Sequence, residues 1–261
     1  MSILAEQRKK VILEQLRYSG QVKVIHLAEK LSVSEETVRR DLHNLERDGL
    51  LKRVYGGAVP QKSLGNFEPP YLQRQAIHAE EKRSIGQCAA GLVNSGDTIA
   101  IDVGTTTLEF AKSLRGLQQL TVLTNSLAVA FCLMEALNAG RISGKVIVIG
   151  GELNPQQQSL SGTASELMMR PFTVDKAFLS AGGISLDRGI SDFDIHESSM
   201  SQLFAKSAKE VIILADRSKL GEDAFVQIIP LEEADLVVSS SPPPENWLPY
   251  LDTFRVSWME A

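Results

Sequence analysis

The chain has 261 residues, 43% of them hydrophobic, enough to bury a sizeable core and long enough for two domains. No apolar run reaches the roughly 18 residues that span a bilayer, and Met1-Ser2-Ile3-Leu4-Ala5-Glu6-Gln7-Arg8 lacks a signal peptide's apolar core and cleavage site. A cytoplasmic protein with no membrane partner is therefore expected. The net charge of −5 speaks against a nucleic-acid binder only until it is divided. Residues 1–62 hold 12 Lys and Arg against 8 Asp and Glu, a net +4, whereas the remainder holds 15 against 24, a net −9. A basic head on an acidic body points to a polyanion met by the head alone.

Glu6 to Ser19 carries Val11, Ile12, Leu13 and Leu16 at helical spacing, with Gly20 as a stop. A short extended piece, Gln21 to Val24, leads into a second helix over His26–Leu31, whose Leu27, Ala28 and Leu31 share a face. Ser32-Val33-Ser34 is a tight turn, and Ser34 is a good N-cap for a third helix over Glu35–Arg47. Thr37 fills the slot where a full capping box wants Glu or Gln, while Glu35 and Glu36 place acid in the first turn. Val38, Leu42 and Leu45 form the buried stripe of that helix, and the stop is expected at Asp48-Gly49. Leu50 to Val59 then reads as a hairpin with a glycine-bearing tip and basic flanks.

Helix, helix, tight turn, helix, hairpin is a winged helix-turn-helix, expected over residues 1–59. In such a module the second helix of the pair enters the major groove, and Ser34, Thr37, Arg39 and Arg40 occupy its N-terminal half. Arginine can grip guanine bidentately or pair with phosphate. The wing residues Lys52, Arg53, Tyr55, Gly56 and Gly57 are placed to follow backbone or minor groove. The plain alternative, that Arg39 and Arg40 form a solvated helix face, would leave the spacing of all three helices a coincidence. His26 and His43 read as surface or interhelical residues, not ligands.

The run Val24-x-x-Leu27-Ala28-x-x-Leu31-x-Val33-Ser34-x-x-Thr37-Val38-Arg39-Arg40-Asp41-Leu42-x-x-Leu45-x-x-x-Gly49-Leu50-x-x-Arg53-Val54-Tyr55-Gly56-Gly57-Ala58 closely resembles the DeoR family of bacterial sugar-metabolism repressors. The likeness covers the whole head.

Pro60 to Pro70 has the composition of a linker, and the body is expected over 71–261. Tyr71 to Val93 reads as a long helical stretch with a break near His78. Strands are then expected at Thr98–Asp102, Leu120–Thr124, Lys145–Ile149, Lys176–Ser180, Glu210–Ala215, Ala224–Ile228, Leu236–Ser239 and Phe254–Ser257. Helices are expected at Thr107–Leu114, Leu127–Ala139, Ser165–Met169, Ile195–Ala208 and Pro244–Leu251. Such alternation predicts an α/β domain with a mostly parallel sheet covered by helices on both faces. Cys88 and Cys132 lie far apart in apolar, helix-like contexts and read as reduced core thiols, with no metal site expected.

Ligands of such sheets bind beyond the carboxyl ends of the strands, where this sequence places small polar residues. A strand entering a helix through Asp102-Val103-Gly104-Thr105-Thr106-Thr107 offers backbone N–H groups and hydroxyls at a helix N-terminus, where the macrodipole favours an anion. Thr124-Asn125-Ser126 follows the next strand, and Gly151, Gly182, Gly183, Asp192, Glu197 and Lys219 stand near the ends of others. This chemistry suits a phosphorylated polyol: amides and Ser/Thr hydroxyls for the phosphate, Lys219 to neutralise it, and Asp102, Asn125, Asp192 and Glu197 for the hydroxyls. GxGxxG is absent, so no dinucleotide cofactor is expected. No catalytic triad or metal-ligand spacing is evident, and His78 and His196 are isolated.

The body also resembles the DeoR effector domain, through Glu81-Lys82-x-x-Ile85, Asp97-x-Ile99-x-Ile101-Asp102-x-Gly104-Thr105-Thr106-Thr107, Thr124-Asn125-Ser126, Gly150-Gly151, Gly189-Ile190-Ser191-Asp192 and Ala215-Asp216-x-Ser218-Lys219. That domain is similar to the ribose-phosphate isomerase and glucosamine-phosphate deaminase fold. The resemblance implies a sugar-phosphate effector, double-stranded operator DNA as partner, and a homodimer or homotetramer reading repeated half-sites. The rival expectation is a sugar-phosphate isomerase or deaminase with an appended DNA-binding head, using Asp102, Asp192, Asp194 and Lys219 for proton transfer. It lacks a well-placed acid–base pair and gives the head no purpose.

Overall fold

The computed structural model describes residues 5–19, 21–48, 50–59 and 68–261. Most of the expected linker and the helix stops expected at Gly20 and Gly49 lie outside the described residues. The chain forms two units, Met1–Arg74 and Gln75–Ala261.

In the first unit α1 (Ala5–Ser19), β1 (Val22–Lys23), α2 (Val24–Leu31) and α3 (Glu35–Arg47) precede the hairpin of β2 (Lys52–Val54) and β3 (Gly57–Val59). Alpha-3 has the bounds expected, because both its ends carry signals: Ser34 Oγ accepts from Thr37 N–H, and Asp48 closes the last turn. Two features differ from expectation. Alpha-2 starts at Val24, two residues early, and β1 pairs with β3 to make a three-stranded sheet. Ile12, Leu16, Leu27, Leu31, Val38, Leu42, Leu45 and Leu51 form one apolar core.

After α4 (Tyr71–Ala76), which straddles the division of the chain, the second unit continues with α5 (Ala79–Ala90). Between them His78 stands in the left-handed region (φ 53°), which accounts for the expected break. The chain continues β4 (Thr98–Ile101), α6 (Thr105–Ser113), β5 (Leu120–Thr124), α7 (Leu127–Asn138), β6 (Gly144–Val148), β7 (Glu152–Asn154), β8 (Ser159–Ser161), α8 (Thr163–Met169) and β9 (Val174–Ser180). Then come β10 (Gly183–Ser185), β11 (Gly189–Asp192), α9 (Ile195–Ser207), β12 (Ala208–Ala215), β13 (Val226–Ile229), β14 (Leu236–Ser239), α10 (Leu248–Phe254) and β15 (Ser257–Glu260).

Seven strands form one all-parallel sheet in the order β15-β14-β12-β9-β4-β5-β6. Alternation along each strand divides the core in two. Ile99 and Ile101, Phe178, Ile212 and Leu214, and Val238 face the side covered by α5, α6 and α7. Ala100, Ala177 and Leu179, Ile213, and Val237 face α9 and α10. Gly86 lets α5 meet α6 closely: a Cβ there would lie 2.5 Å from the Glu109 carbonyl carbon. Two strand expectations need correction. The strand expected at Ala224–Ile228 is β13, which belongs to a separate antiparallel sheet with β10 and β11. The strand expected at Phe254–Ser257 is the end of α10, and β15 begins after Arg255 turns left-handed at φ 60°.

Candidate functional site

In a parallel sheet every carboxyl end lies at one edge, and a crevice opens where successive crossovers leave in opposite directions. Beta-4 is flanked by β5 and then β6 on one side and by β9 on the other, so the crevice lies between the ends of β4 and β9. The turn Asp102–Gly104 meets Ser180 there. A Cβ on Gly104 would stand 2.7 Å from Ser180 Cβ and 2.8 Å from its Oγ. With φ at 165° the backbone is extended, so glycine is needed for close approach and not for conformation. No side chain caps α6, which leaves its first turn open at the positive end of the dipole. Thr105 and Thr106 are buried, and their hydroxyls have no hydrogen bond among the described residues. Thr107 Oγ differs: it donates to the carbonyls of Asp102 (2.8 Å) and Gly104 (3.0 Å) and holds the turn together.

Asp102 is fully buried. Its Oδ1 accepts from Val103 N–H (2.8 Å) and its Oδ2 from Ser201 Oγ on α9 (2.7 Å). Thr124 and Ser126 serve the β5–α7 turn: Thr124 Oγ1 accepts from Ser126 N–H, and Ser126 Oγ caps α7 at Val129 N–H. Asn125 Nδ2 donates to the Leu160 carbonyl (3.2 Å), whereas its Oδ1 is buried with no partner among the described residues. Glu197, also buried, accepts from Ser159 Oγ on β8 at 2.5 Å. Ser198 Oγ on α9 and Ser239 Oγ at the end of β14 are likewise buried without partners. Sequence reasoning missed Ser159, Ser198 and Ser201. The signal available for the α9 pair was Glu197, Ser198 and Ser201 at i, i+1 and i+4, a polar patch on one helical face.

The remaining expected residues are more scattered. Gly151 lies against Ser165, whose Oγ donates to the Gly150 carbonyl (2.6 Å). Gly183 pairs with Ser191 and belongs to the small antiparallel sheet, whereas Gly182 lies in the bend just before β10, its N–H donating to the Ser191 carbonyl (2.8 Å). Asp192 is the last residue of β11, and its Oδ1 accepts from Phe193 N–H (2.7 Å). Lys219 ends a short 3₁₀ turn capped by Asp216 and makes no ion pair among the described residues. Cys88 and Cys132 are half-buried free thiols whose pKa burial pushes up.

One further polar group sits at the ends of β12 and β14. Glu81 Oε2 accepts from Ser240 Oγ (2.6 Å); its Oε1 lies 2.8 Å from His78 Nδ1 and 3.3 Å from Arg217 Nη2. Burial pulls the Glu81 carboxyl upward, but the Ser240 and His78 hydrogen bonds and the charge of Arg217 outweigh it, leaving the carboxyl below the ordinary glutamate value. Asp216 lies close by, with its Oδ1 engaged by Ser218 N–H and Oγ.

In the first unit α3 turns Glu36, Arg39, Arg40, His43 and Arg47 outward. Arg39 is held by Glu35 at 2.6 Å, whereas Arg40 is exposed with no ion pair among the described residues. Thr37 Oγ1 shares a hydrogen bond with Ser34 Oγ (2.9 Å). The wing is tied to α3: Glu46 Oε1 accepts from Arg53 N–H (2.8 Å), and Arg53 Nη1 lies 3.2 Å from His43 Nδ1. Lys52 is exposed, Tyr55 stands wholly in solvent at the hairpin tip, and Gly56 (φ 77°) makes the turn. Gly57 is packed on the Val22 carbonyl. Among the described residues no helix is long and apolar enough to cross a membrane.

Comparison with known proteins adds the following. Residues 8–63 match the DeoR-like helix-turn-helix domain, and residues 77–241 match the DeoR C terminal sensor domain. The chain is 33% identical over 250 residues to the glycerol-3-phosphate regulon repressor of Escherichia coli K12, covering 96% of each chain. It is 33% identical over 235 residues to the HTH-type transcriptional regulator GolR of Listeria innocua, covering 90% of each. Among solved structures, ribose 5-phosphate isomerase A from Methanocaldococcus jannaschii aligns with 55% of each chain at 17% identity and a TM-score of 0.40.

Proposed function

The chain belongs to the DeoR family of transcriptional regulators, and from that premise we propose that it represses a carbohydrate operon until a phosphorylated sugar binds its C-terminal unit. The observation that carries the sensing half is the uncapped N-terminus of α6 at the sheet's switch point, with the unpartnered Asn125 Oδ1 at the neighbouring strand end. Thr105, Thr106 and the first-turn amides receive the phosphate, with Lys219 as counter-charge. Asn125, Glu197 and Asp192 meet the hydroxyls. Asp102 positions the turn and does not transfer protons: both its carboxylate oxygens already accept from Val103 N–H and Ser201 Oγ, which supports a binding protein and not an enzyme.

On the DNA side Arg40 and Thr37 read base edges, while Lys52, Arg53 and Tyr55 follow the backbone from the wing. A homodimer or homotetramer reads repeated half-sites. Release is a population shift, in which the ligand binds more tightly to the arrangement that cannot hold DNA. The test is thermal unfolding of the full chain with ribose 5-phosphate, glucosamine 6-phosphate and glycerol 3-phosphate, each beside its unphosphorylated counterpart. A ligand at about 100 times its Kd stabilises by about 2.7 kcal/mol. A shift confined to phosphorylated sugars and lost in Thr106→Ala is the expected result; equal shifts with the free sugars would overturn the phosphate assignment.

A further inference from the structure

The DNA-reading unit contains a buried ion pair that the reading above does not use. Arg8 on α1 and Asp41 on α3 are 33 residues apart in the chain. Arg8 Nε donates to Asp41 Oδ2 at 2.7 Å and Nη2 donates to Oδ1 at 3.2 Å. The two side chains are only 8% and 4% exposed. Asp41 also follows directly on Arg40, the one arginine of the Arg39-Arg40 pair with no ion pair among the described residues.

We propose that Arg8 and Asp41 are positioning residues for DNA recognition, fixing the rotation of α3 about its own axis so that Thr37 and Arg40 meet the groove in register. Apart from a looser, more exposed ion pair at its end, Lys9 Nζ to Asp48 Oδ2 at 3.9 Å, the described residues between α1 and α3 are apolar, with Ile12 and Leu16 in one cluster with Val38, Leu42 and Leu45. Such contact is non-directional and tolerates small rotations and slides of one helix on another. A planar guanidinium gripping both oxygens of one carboxylate tolerates neither. At 3.6 residues per turn, Asp41 stands about 40° around the helix from Thr37. Any rotation that opens the pair therefore carries the base-reading residues out of place by the same angle. A buried ion pair supplies little net stability compared with apolar residues of the same volume, so its contribution here is to choose one arrangement.

The proposal rests on α3 being the reading helix, which Arg40→Ala tests separately. The full chain is used to enrich a preferred duplex from a randomised library, and affinity for that duplex is then divided by affinity for sheared mixed-sequence DNA. This ratio reports reading, since both affinities share the phosphate contacts and fall together if the unit merely loosens. In Arg8→Met/Asp41→Leu we expect a melting temperature at or above that of the parent, mixed-sequence binding kept within about twofold, and a ratio lowered about tenfold. A ratio within about twofold of the parent's overturns the proposal. Should that variant not fold, Arg8→Lys keeps the charge and loses the fork, and it is measured well below its own melting temperature. An unchanged ratio there overturns the proposal equally. If Arg40→Ala leaves the ratio intact while the double variant lowers it, the choice of reading residues is wrong and the positioning role stands. If the parent enriches no sequence at all, both fail.

Discussion

Alanine at Gly104 tests the switch-point turn most directly. The added Cβ would meet Ser180 Cβ at 2.7 Å, Ser180 Oγ at 2.8 Å and Thr107 Oγ1 at 3.0 Å, where unstrained carbon contacts lie at about 3.5–4.0 Å. Neither neighbour can retreat freely. Ser180 Oγ donates to the Val103 carbonyl at 2.7 Å, and Thr107 Oγ1 is bound to two carbonyls of the same turn. The strands cannot spread either, because Asp102 N–H donates to the Phe178 carbonyl at 3.0 Å just below. Overpacking of this kind costs about 1–3 kcal/mol, partly offset by the roughly 0.4–1 kcal/mol that a Gly→Ala change gains through the unfolded chain. In a unit of this size each kcal/mol moves the melting temperature by about 2–4 °C. Thermal unfolding of Gly104→Ala should therefore fall by several degrees and show a weakened response to sugar phosphate. Gly150→Ala is the control, since nothing lies within 4 Å of its Cβ, and it should be neutral. Adding Ser180→Gly to Gly104→Ala removes both nearest atoms and should recover part of the loss. A Gly104→Ala protein as stable and as responsive as the parent would refute the close-approach argument.

In operator-binding titrations, Arg40→Ala should lose about 1–3 kcal/mol, and Arg39→Ala less, since Arg39 is already held by Glu35; equal losses would show that the intrahelical pair does not divide their roles. Ser201→Ala leaves the buried Asp102 carboxylate short of a donor and should destabilise the second unit by about 1.5–3 kcal/mol in denaturant unfolding, and a neutral result would mean that another donor takes over. Ser198→Ala removes a buried hydroxyl that has no partner among the described residues, so its melting temperature should hold or rise; a clear fall would mean that the hydroxyl is bonded. Because the folded Glu81 carboxyl sits below its unfolded value, its contribution to stability is full above about pH 4.3 and is lost as pH falls through the folded value. Glu81→Gln should flatten the acid limb of a stability-versus-pH curve, and an unaltered limb would remove Glu81 from the account.

Elements with a signal at each end were legible in the sequence. Alpha-3 has Ser34 before it and Asp48 after it, and β5 and β14 are apolar runs bounded by polar turns, so all three match their expected bounds. The four short strands β7, β8, β10 and β11 were not, because each is three or four residues long with a single Leu or Ile among small or polar neighbours, too little alternation to tell a strand from a loop. Phe254 was misplaced because α10 stops at Arg255 in a left-handed conformation, a stop usually announced by glycine. At the candidate site, Gly104 and its threonines stood out as a motif. The partners of Asp102 did not: Ser201 is 99 residues away, and only the fold brings α9 over the end of β4.

The buried polar atoms at the sheet's carboxyl edge bear on how a small ligand can move a large equilibrium. A ligand shifts two arrangements only by its difference in affinity for them, and turning a 1:99 population into 99:1 takes about 5.5 kcal/mol. Asn125 Oδ1, Ser198 Oγ and Ser239 Oγ are buried without partners among the described residues, and an unsatisfied buried polar atom costs about 1–3 kcal/mol. The second unit thus holds a polar edge that its described residues satisfy incompletely. A polyol that satisfies two of these atoms while its phosphate caps α6 draws on free energy of the size that the shift requires. The same groups in a second arrangement, turned to water or to one another, would gain nothing from the ligand. On the proposed function, that difference, and not tight binding as such, is what would let a C-terminal site control a DNA-reading unit.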